Sequence, residues 1–295
     1  MQTMREAFFD GVVEWMAADE KAMVVLADIS AAGLREASRN FPGRVLNVGI
    51  REQAAIGVAA GLSLEGFHPL VHTYVPFLIE RPFEMIKDDL FHQGLVATLV
   101  SIGASYDEPG YGRTHQCPED VALLDTLGPS TILVPGHADE VVPLLQRAVS
   151  SDTVGYLRLS IAMNRRPIRN TTATMTRVVI GKNGVVIAVG PMLDAVLDAT
   201  QGMDLTVLYA TTVRPFDAAT LREVAGQTPK VVIVEPYLAG TSSPVVERAL
   251  SDLPHRILAL GVSHPDLHRY GSYADHNLAQ GLDPAGISSA IRAFL

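Results

Sequence analysis

Glu52 stands at the first turn of a predicted helix, directly after the apolar run Val45-Leu46-Asn47-Val48-Gly49-Ile50. At that place unpaired backbone N–H groups and the helix macrodipole favour a carboxylate as an anion. Two readings follow: a good first-turn residue, or a catalytic acid in a controlled field. A second stretch that could carry chemistry is the loop SYDEPGYGRTHQCPED over 105–120, rich in glycine and charge, with His115 near its end. His264 and His268 share the i, i+4 spacing of paired metal ligands, but Pro265 and Asp266 between them predict a solvated loop. The run Arg165-Arg166-Pro167-Ile168-Arg169 could touch an anionic substrate or partner, against the simpler reading of a solvated linker.

Several chemistries find no support. There is no GxxxxGK(S/T) phosphate loop and no GxGxxG after a strand, and neither HExxH nor paired cysteines suggest zinc. A net charge of −9 without a Lys/Arg cluster argues against binding the nucleic-acid backbone. No apolar run approaches the roughly 18–20 residues that cross a bilayer. The N-terminus has scattered charges and no small-residue cleavage site, unlike a signal peptide. The single cysteine, Cys117, excludes an intrachain disulfide and fits a reducing cytoplasm, the expected location.

The elements that must position these residues are legible as alternation. Residues 4–18 show helical spacing, with Phe8, Val12, Trp15 and Met16 on one side. Strands are predicted over 23–27, ending at Asp28, and over 45–50, 68–74, 94–102, 130–134 and 156–159, with helices between. Such alternation implies a parallel sheet with helices on both faces. Residues 163–177 lose hydrophobic periodicity and read as a linker. Beyond it, strands over 184–189, 204–209, 230–235 and 255–260 alternate with helices again. With 295 residues, of which 48% are hydrophobic, the expectation is an α/β protein of two doubly wound domains, 1–162 and 178–295. The small residues Ala54, Ala55, Gly57, Ala59, Ala60 and Gly61 would let another backbone or subunit approach the Glu52 helix closely.

NVGIREQ at 47–53, followed by AAGLSLEG at 59–66, resembles the NVGIxEQ…AAGLAxxG stretch of transketolases; the deoxyxylulose-phosphate synthases carry a similar segment. VVLADIS (24–30), HTYVPFL (72–78), GRTHQ (112–116), VRPFD (213–217), VVIVEP (231–236) and GLDPAGI (281–287) follow in the family's order. The family's N-terminal domain, whose GDG…N motif holds the diphosphate of thiamine diphosphate and a divalent metal, has no counterpart here. The resemblance therefore implies the second subunit of a split transketolase, made of pyrimidine-binding and C-terminal domains. It implies a thiamine diphosphate shared between two chains. Mg2+ or another divalent ion would sit on the partner, and two copies of each chain would form a heterotetramer.

By the same resemblance, Glu52 matches the catalytic glutamate that bonds the pyrimidine N1′, a role that asks for a proton-sharing carboxyl in an apolar pocket. Phe77 matches the aromatic that stacks on the pyrimidine and Tyr74 a second aromatic of that pocket. Ile50 matches a contact beside the cofactor, and Asp28 a cofactor-contacting aspartate. His115 matches the catalytic histidine that contacts the ketose donor. Arg158, and with less support Arg5, match phosphate-binding arginines, structural salt bridging being the other reading of Arg158. Departures from the family are equally specific. Its usual DGPTHQ reads YGRTHQ here, so Tyr111 and Arg113 take the places of an aspartate and a proline facing the substrate. Asp107 or Glu108 could substitute for the missing acid, and Glu80 stands where a third pocket aromatic is usual. The implied activity is transfer of a two-carbon ketol unit from a ketose-type donor to an aldehyde. The alternatives are the β subunit of a 2-oxoacid-decarboxylating enzyme, a deoxyxylulose-phosphate-synthase-like enzyme, or a non-catalytic partner chain.

Overall fold

The computed structural model describes residues 2–168, 172–263 and 270–295; His264, His268 and Arg169 lie outside them. Six parallel strands form the first sheet: β1 (Ala22–Leu26), β2 (Val45–Asn47), β3 (His68–Tyr74), β4 (Thr98–Ile102), β5 (Ser130–Leu133) and β6 (Val154–Arg158). Their order is β5-β6-β4-β3-β1-β2. Every residue of β1, β4 and β6 is buried, as expected of parallel strands covered on both faces. Helix α1 (Met4–Ala18) starts at a capping box between Thr3 and Glu6 and buries Phe8, Val12, Trp15 and Met16, the side that the spacing predicts. After α2 (Arg35–Asn40) and β2 comes α3 (Glu52–Leu64), the Ala/Gly-rich helix headed by Glu52.

The second sheet has the order β12-β11-β8-β9-β7, from β7 (Thr176–Val179), β8 (Val185–Val189), β9 (Thr206–Ala210), β11 (Lys230–Leu238) and β12 (Arg256–Val262). Its four later strands are parallel.

Three elements differ from the sequence expectation. The strand expected over 45–50 ends at Asn47, whose carboxamide stands in for a ladder partner on both sides: its Oδ1 accepts from Gly49 N at 3.0 Å and from Asp28 N, at the end of β1, at 3.0 Å. The segment expected as a linker ends in β7, which runs antiparallel to β9. Finally β10 (Thr212–Arg214), from beyond that segment, adds an antiparallel edge to the first sheet beside β5. Both sheets are thus mixed but mostly parallel. These edge strands are short and half polar, so neither has the apolar run that marks a buried strand.

The β10 crossing ties the two halves together. Val134 N donates to Thr211 O at 2.7 Å, Leu238 N to Pro118 O at 2.8 Å, and Arg214 Nε to Asp125 Oδ1 at 2.8 Å. Leu124, Ile132 and Val134 share one apolar cluster with Val213 and Tyr237. The loop 105–120 is thereby held against the second half. Among the described residues no helix is long and apolar enough to cross a membrane.

Candidate functional site

Several of the expected site residues lie at the carboxyl ends of β1 and β3, where ligands of α/β sheets bind: Asp28 follows β1 and Tyr74 ends β3, with Phe77 just beyond it. Glu52 opens α3 with its side chain 4% exposed. Phe77 lies in a wide helical turn, Pro76–Glu80, closed by the Arg81 N–H on Pro76 O at 3.0 Å. That i→i+5 geometry recurs at functional sites because it displaces side chains from regular helical positions.

Between these two residues lies a group that the sequence expectation did not include. Arg81 Nη1 donates to Glu52 Oε1 at 2.8 Å, while the guanidinium stands 4.2 Å from the centroid of the Phe77 ring. The expected apolar surround of Glu52 is therefore corrected: its carboxylate is ion-paired. A buried carboxylate is costly without a counter-charge, and Arg81 supplies one. The only available signal was spacing, since Arg81 follows Phe77 by four residues and neighbours at that distance meet on a helical face. The slot between Glu52 and Phe77 thus has the shape and polarity for a flat group with in-plane nitrogen.

The remaining aromatics complete a wall. His115 packs edge-on to Phe77 at 5.1 Å and to Tyr74 at 5.8 Å between centroids, and Tyr111 lies 4.7 Å from His115. Tyr74, the last residue of β3, points its hydroxyl at Glu108 Oε1, 3.4 Å away. Burial and the Glu108 charge raise the Tyr74 pKa, so its phenol stays protonated. Gly103 makes this packing possible: at φ +75° it is strained for any other residue, and a Cβ there would stand 2.4 Å from the Tyr74 ring. Tyr74 and Glu108 line a cavity of about 100 Å3 together with Arg5. Arg5 Nη2 donates to Ser30 Oγ at 2.9 Å, and Ser30 Oγ lies 2.7 Å from His72 Nε2. Since His72 Nδ1 faces the Val100 carbonyl at 2.8 Å, the Ser30 hydroxyl donates to Nε2. Burial, with the nearby Arg5 charge, pushes the His72 pKa down to about 4, so this bridge is uncharged.

Asp28 adopts φ +68° at the end of β1, where Asn47 Nδ2 donates to its Oδ1 at 3.2 Å. Ile50 is 71% exposed, set on the turn ahead of α3.

Other expected residues are engaged elsewhere. Arg113 donates to Glu119 Oε1 at 2.7 Å and to the Gln116 carbonyl, and lies 3.9 Å from Glu80. Its guanidinium clasps the loop to itself. Glu80, in the place of a third pocket aromatic, is exposed and faces Arg113. Glu80, Cys117 and Glu119 bring potential ligand atoms within 4.8 Å of one another, but Arg113 already compensates that charge. Asp107 is buried and accepts from Ala104 N at 2.9 Å, Ser160 Oγ at 2.8 Å and Ile161 N at 3.0 Å, so the acid facing the cavity is Glu108.

Of the two readings of Arg158, phosphate contact and salt bridge, the structure shows the salt bridge. It is 1% exposed, donating to Asp120 Oδ2 at 2.6 Å and Ser105 Oγ at 2.7 Å, with the Tyr237 ring 5.5 Å from its guanidinium. That is a structural ion pair joining β6 to the 105–120 loop and the second half.

Comparison with known proteins agrees with this arrangement. Residues 1–165 match the family described as transketolase, pyrimidine binding domain, and residues 174–287 match transketolase, C-terminal domain. A 33.6 kDa protein of the fasciation locus of Rhodococcoides fascians is 47% identical over 281 residues, 94% of this chain and 90% of that protein. The 6-deoxy-6-sulfo-D-fructose transketolase subunit SqwH of Clostridium sp. (strain MSTE9) is 26% identical, over 88% of this chain and 84% of that one. A 1-deoxy-D-xylulose-5-phosphate synthase of Azoarcus sp. (strain BH72) is 29% identical over 99% of this chain, which spans only 48% of the synthase. A solved structure described as "Split gene transketolase, inactive beta4 tetramer" superposes with a TM-score of 0.86 at 27% identity, covering 99% of this chain and 98% of that chain. Both halves of the polypeptide are accounted for in this way, and the chain belongs to the transketolase family, comprising its pyrimidine-binding and C-terminal domains.

Proposed function

We propose that this chain is the C-terminal subunit of a two-chain, thiamine-diphosphate-dependent transketolase, divided into a pyrimidine-binding domain at 1–162 and a C-terminal domain at 178–295. It transfers a two-carbon ketol unit from a ketose-type donor to an aldehyde acceptor, in the cytoplasm. The observation that carries the reading is the slot between the buried carboxylate of Glu52 and the face of Phe77. A flat group bearing an in-plane nitrogen already sits there, and an aminopyrimidine has the same requirements. Glu52 would hold the ring nitrogen, Phe77 and Tyr74 would pack against the ring, and Ile50 and Asp28 would flank it. Bound, thiamine diphosphate supplies the nucleophilic carbon that takes up and releases the two-carbon unit.

His115, edge-on to Phe77, donates to donor oxygens on which charge develops. Tyr111 stands beside it, and Arg113 holds the loop that carries both. Glu108 serves as the acid on this wall. The diphosphate and its Mg2+ belong to a partner carrying the GDG…N domain, in a heterotetramer of two of each chain. This chain carries no GDG…N motif, which supports giving it the pyrimidine half of the cofactor. The SqwH subunit, of similar length, supports a two-chain enzyme. The identity with deoxyxylulose-phosphate synthases supports a second reading, a synthase-like reaction at the same slot.

Co-expression with a chain carrying the GDG…N domain tests the proposal. The expected result is co-purification and thiamine-dependent turnover of hydroxypyruvate or a ketose phosphate. Turnover of pyruvate with glyceraldehyde phosphate instead would favour the synthase reading, and a chain that neither pairs nor turns over any of these would overturn both.

A further inference from the structure

Arg81 makes two contacts at once: its face lies on Phe77, and one of its nitrogens bonds Glu52 Oε1. Those are the contacts that the reading above assigns to the aminopyrimidine, a face on the aromatic ring and an in-plane nitrogen on the carboxylate. A guanidinium is suited to imitate it, being planar, rich in N–H donors and stable in a stack. The two groups compete for the slot, because the Phe77 face that the guanidinium covers at 4.2 Å is not open to a pyrimidine stacked in the same place.

We propose that Arg81 is a built-in stand-in for the cofactor's pyrimidine: it keeps the slot filled in the chain by itself, and cofactor binding requires its side chain to swing out. This inference rests on the thiamine reading of the site. The burial of the two partners fits a movable plug. Glu52's side chain is 4% exposed, whereas that of Arg81 is 41% exposed, so the guanidinium enters from the solvent side and can return to it. The Arg81 backbone need not follow. It is pinned by its N–H on Pro76 O at 3.0 Å and by its carbonyl accepting from Gln53 Nε2 at 3.4 Å. The device also answers a physical need, since a carboxylate buried beside an aromatic ring would otherwise be left uncompensated until the cofactor arrives.

The test uses the isolated full-length chain and the neutral probe 4-amino-5-hydroxymethyl-2-methylpyrimidine, whose lack of charge prevents simple attraction or repulsion by Arg81 from deciding the result. Affinity is measured by ligand-observed NMR titration. Arg81→Met is expected to bind about tenfold more tightly than wild type, the combined weight of a partly exposed ion pair and a cation stack. Arg81→Lys, which keeps the charge but cannot stack as a plane, falls between them and serves where the methionine variant folds poorly. Phe77→Ala in the Arg81→Met background abolishes the binding. Raising the salt narrows the gap between wild type and Arg81→Met, because the ion pair is screened. Equal binding by wild type and Arg81→Met, or weaker binding by the variant, overturns the stand-in while leaving the thiamine reading in place. Binding by neither chain overturns both.

Discussion

Arg158 Nε lies 2.6 Å from Asp120 Oδ2, and both side chains are sealed from solvent. Tyr156 Oη donates to the same oxygen at 2.6 Å, and the far side of Arg158 reaches Ser105 Oγ. The pair sits under the loop that carries His115, so the loop's position depends on a buried charge network.

Removing one member of that pair leaves the other charged and buried. Asp120→Ala should lower the stability of the chain by about 3–5 kcal/mol, whereas replacing both residues with apolar ones of similar volume should recover much of the loss. Urea unfolding of the single and double variants measures this. A single variant within about 1 kcal/mol of wild type would show that the pair is not the anchor described.

Glu52→Gln keeps the shape of the side chain and removes the charge. With a GDG…N partner it should still assemble, while thiamine-dependent turnover falls by about 10²–10⁴-fold, the range for losing a positioned proton-transfer group. Wild-type turnover by this variant would end the role assigned to Glu52.

The loop makes a prediction about the donor. Tyr111→Asp places an acid beside His115, where transketolases usually have one, and should shift preference towards ordinary ketose phosphates. Arg113→Ala acts differently: it frees Glu119 and Glu80 and loosens the loop, so turnover of every donor should drop together. Ratios of kcat/KM across several donors separate the two effects. An unchanged ratio for Tyr111→Asp would count against the reading of the loop.

Burial raises the pKa of Asp107 from 3.8 to about 7, although Ser160, Ile161 and Ala104 donate hydrogen bonds that pull the other way. The folded chain therefore binds more protons at this site than the unfolded chain between about pH 4 and pH 7, and stability from this group is lost as pH rises through that window. Asp107→Asn removes the titration while its amide can still serve the same backbone donors. Relative to wild type, the variant should gain on the order of 2–4 kcal/mol between pH 4 and pH 7.5. Glu235, which burial also raises to about 7, contributes in the same direction and remains in both chains. A stability difference that does not vary with pH would contradict this assignment.

The burial of β1, β4 and β6 follows from the apolar runs, since a parallel strand covered on both faces must be apolar along its length, whereas the order of the strands in the sheet does not. β7 and β10 escaped notice for the converse reason. Each is a short edge strand with polar residues in it, and its pairing comes from partners about 30 and 80 residues away in sequence. Among the site residues, Glu52, Tyr74, Phe77 and His115 were nameable from the motif that carries them. Arg113 and Arg158 carried no sign of their ion-pair partners, and Glu108 was indistinguishable from Asp107 until the loop was placed.

By itself, the sequence determined the alternation of elements, the family, and the identity of the acid and the aromatic that face one another, because local spacing and residue type suffice for these. Only the tertiary structure decided what neutralises that acid, which loop carboxylate reaches the cavity, and which arginine is buried. Those outcomes depend on charges that lie far apart along the chain and meet only when desolvation forces each buried ion to find a partner.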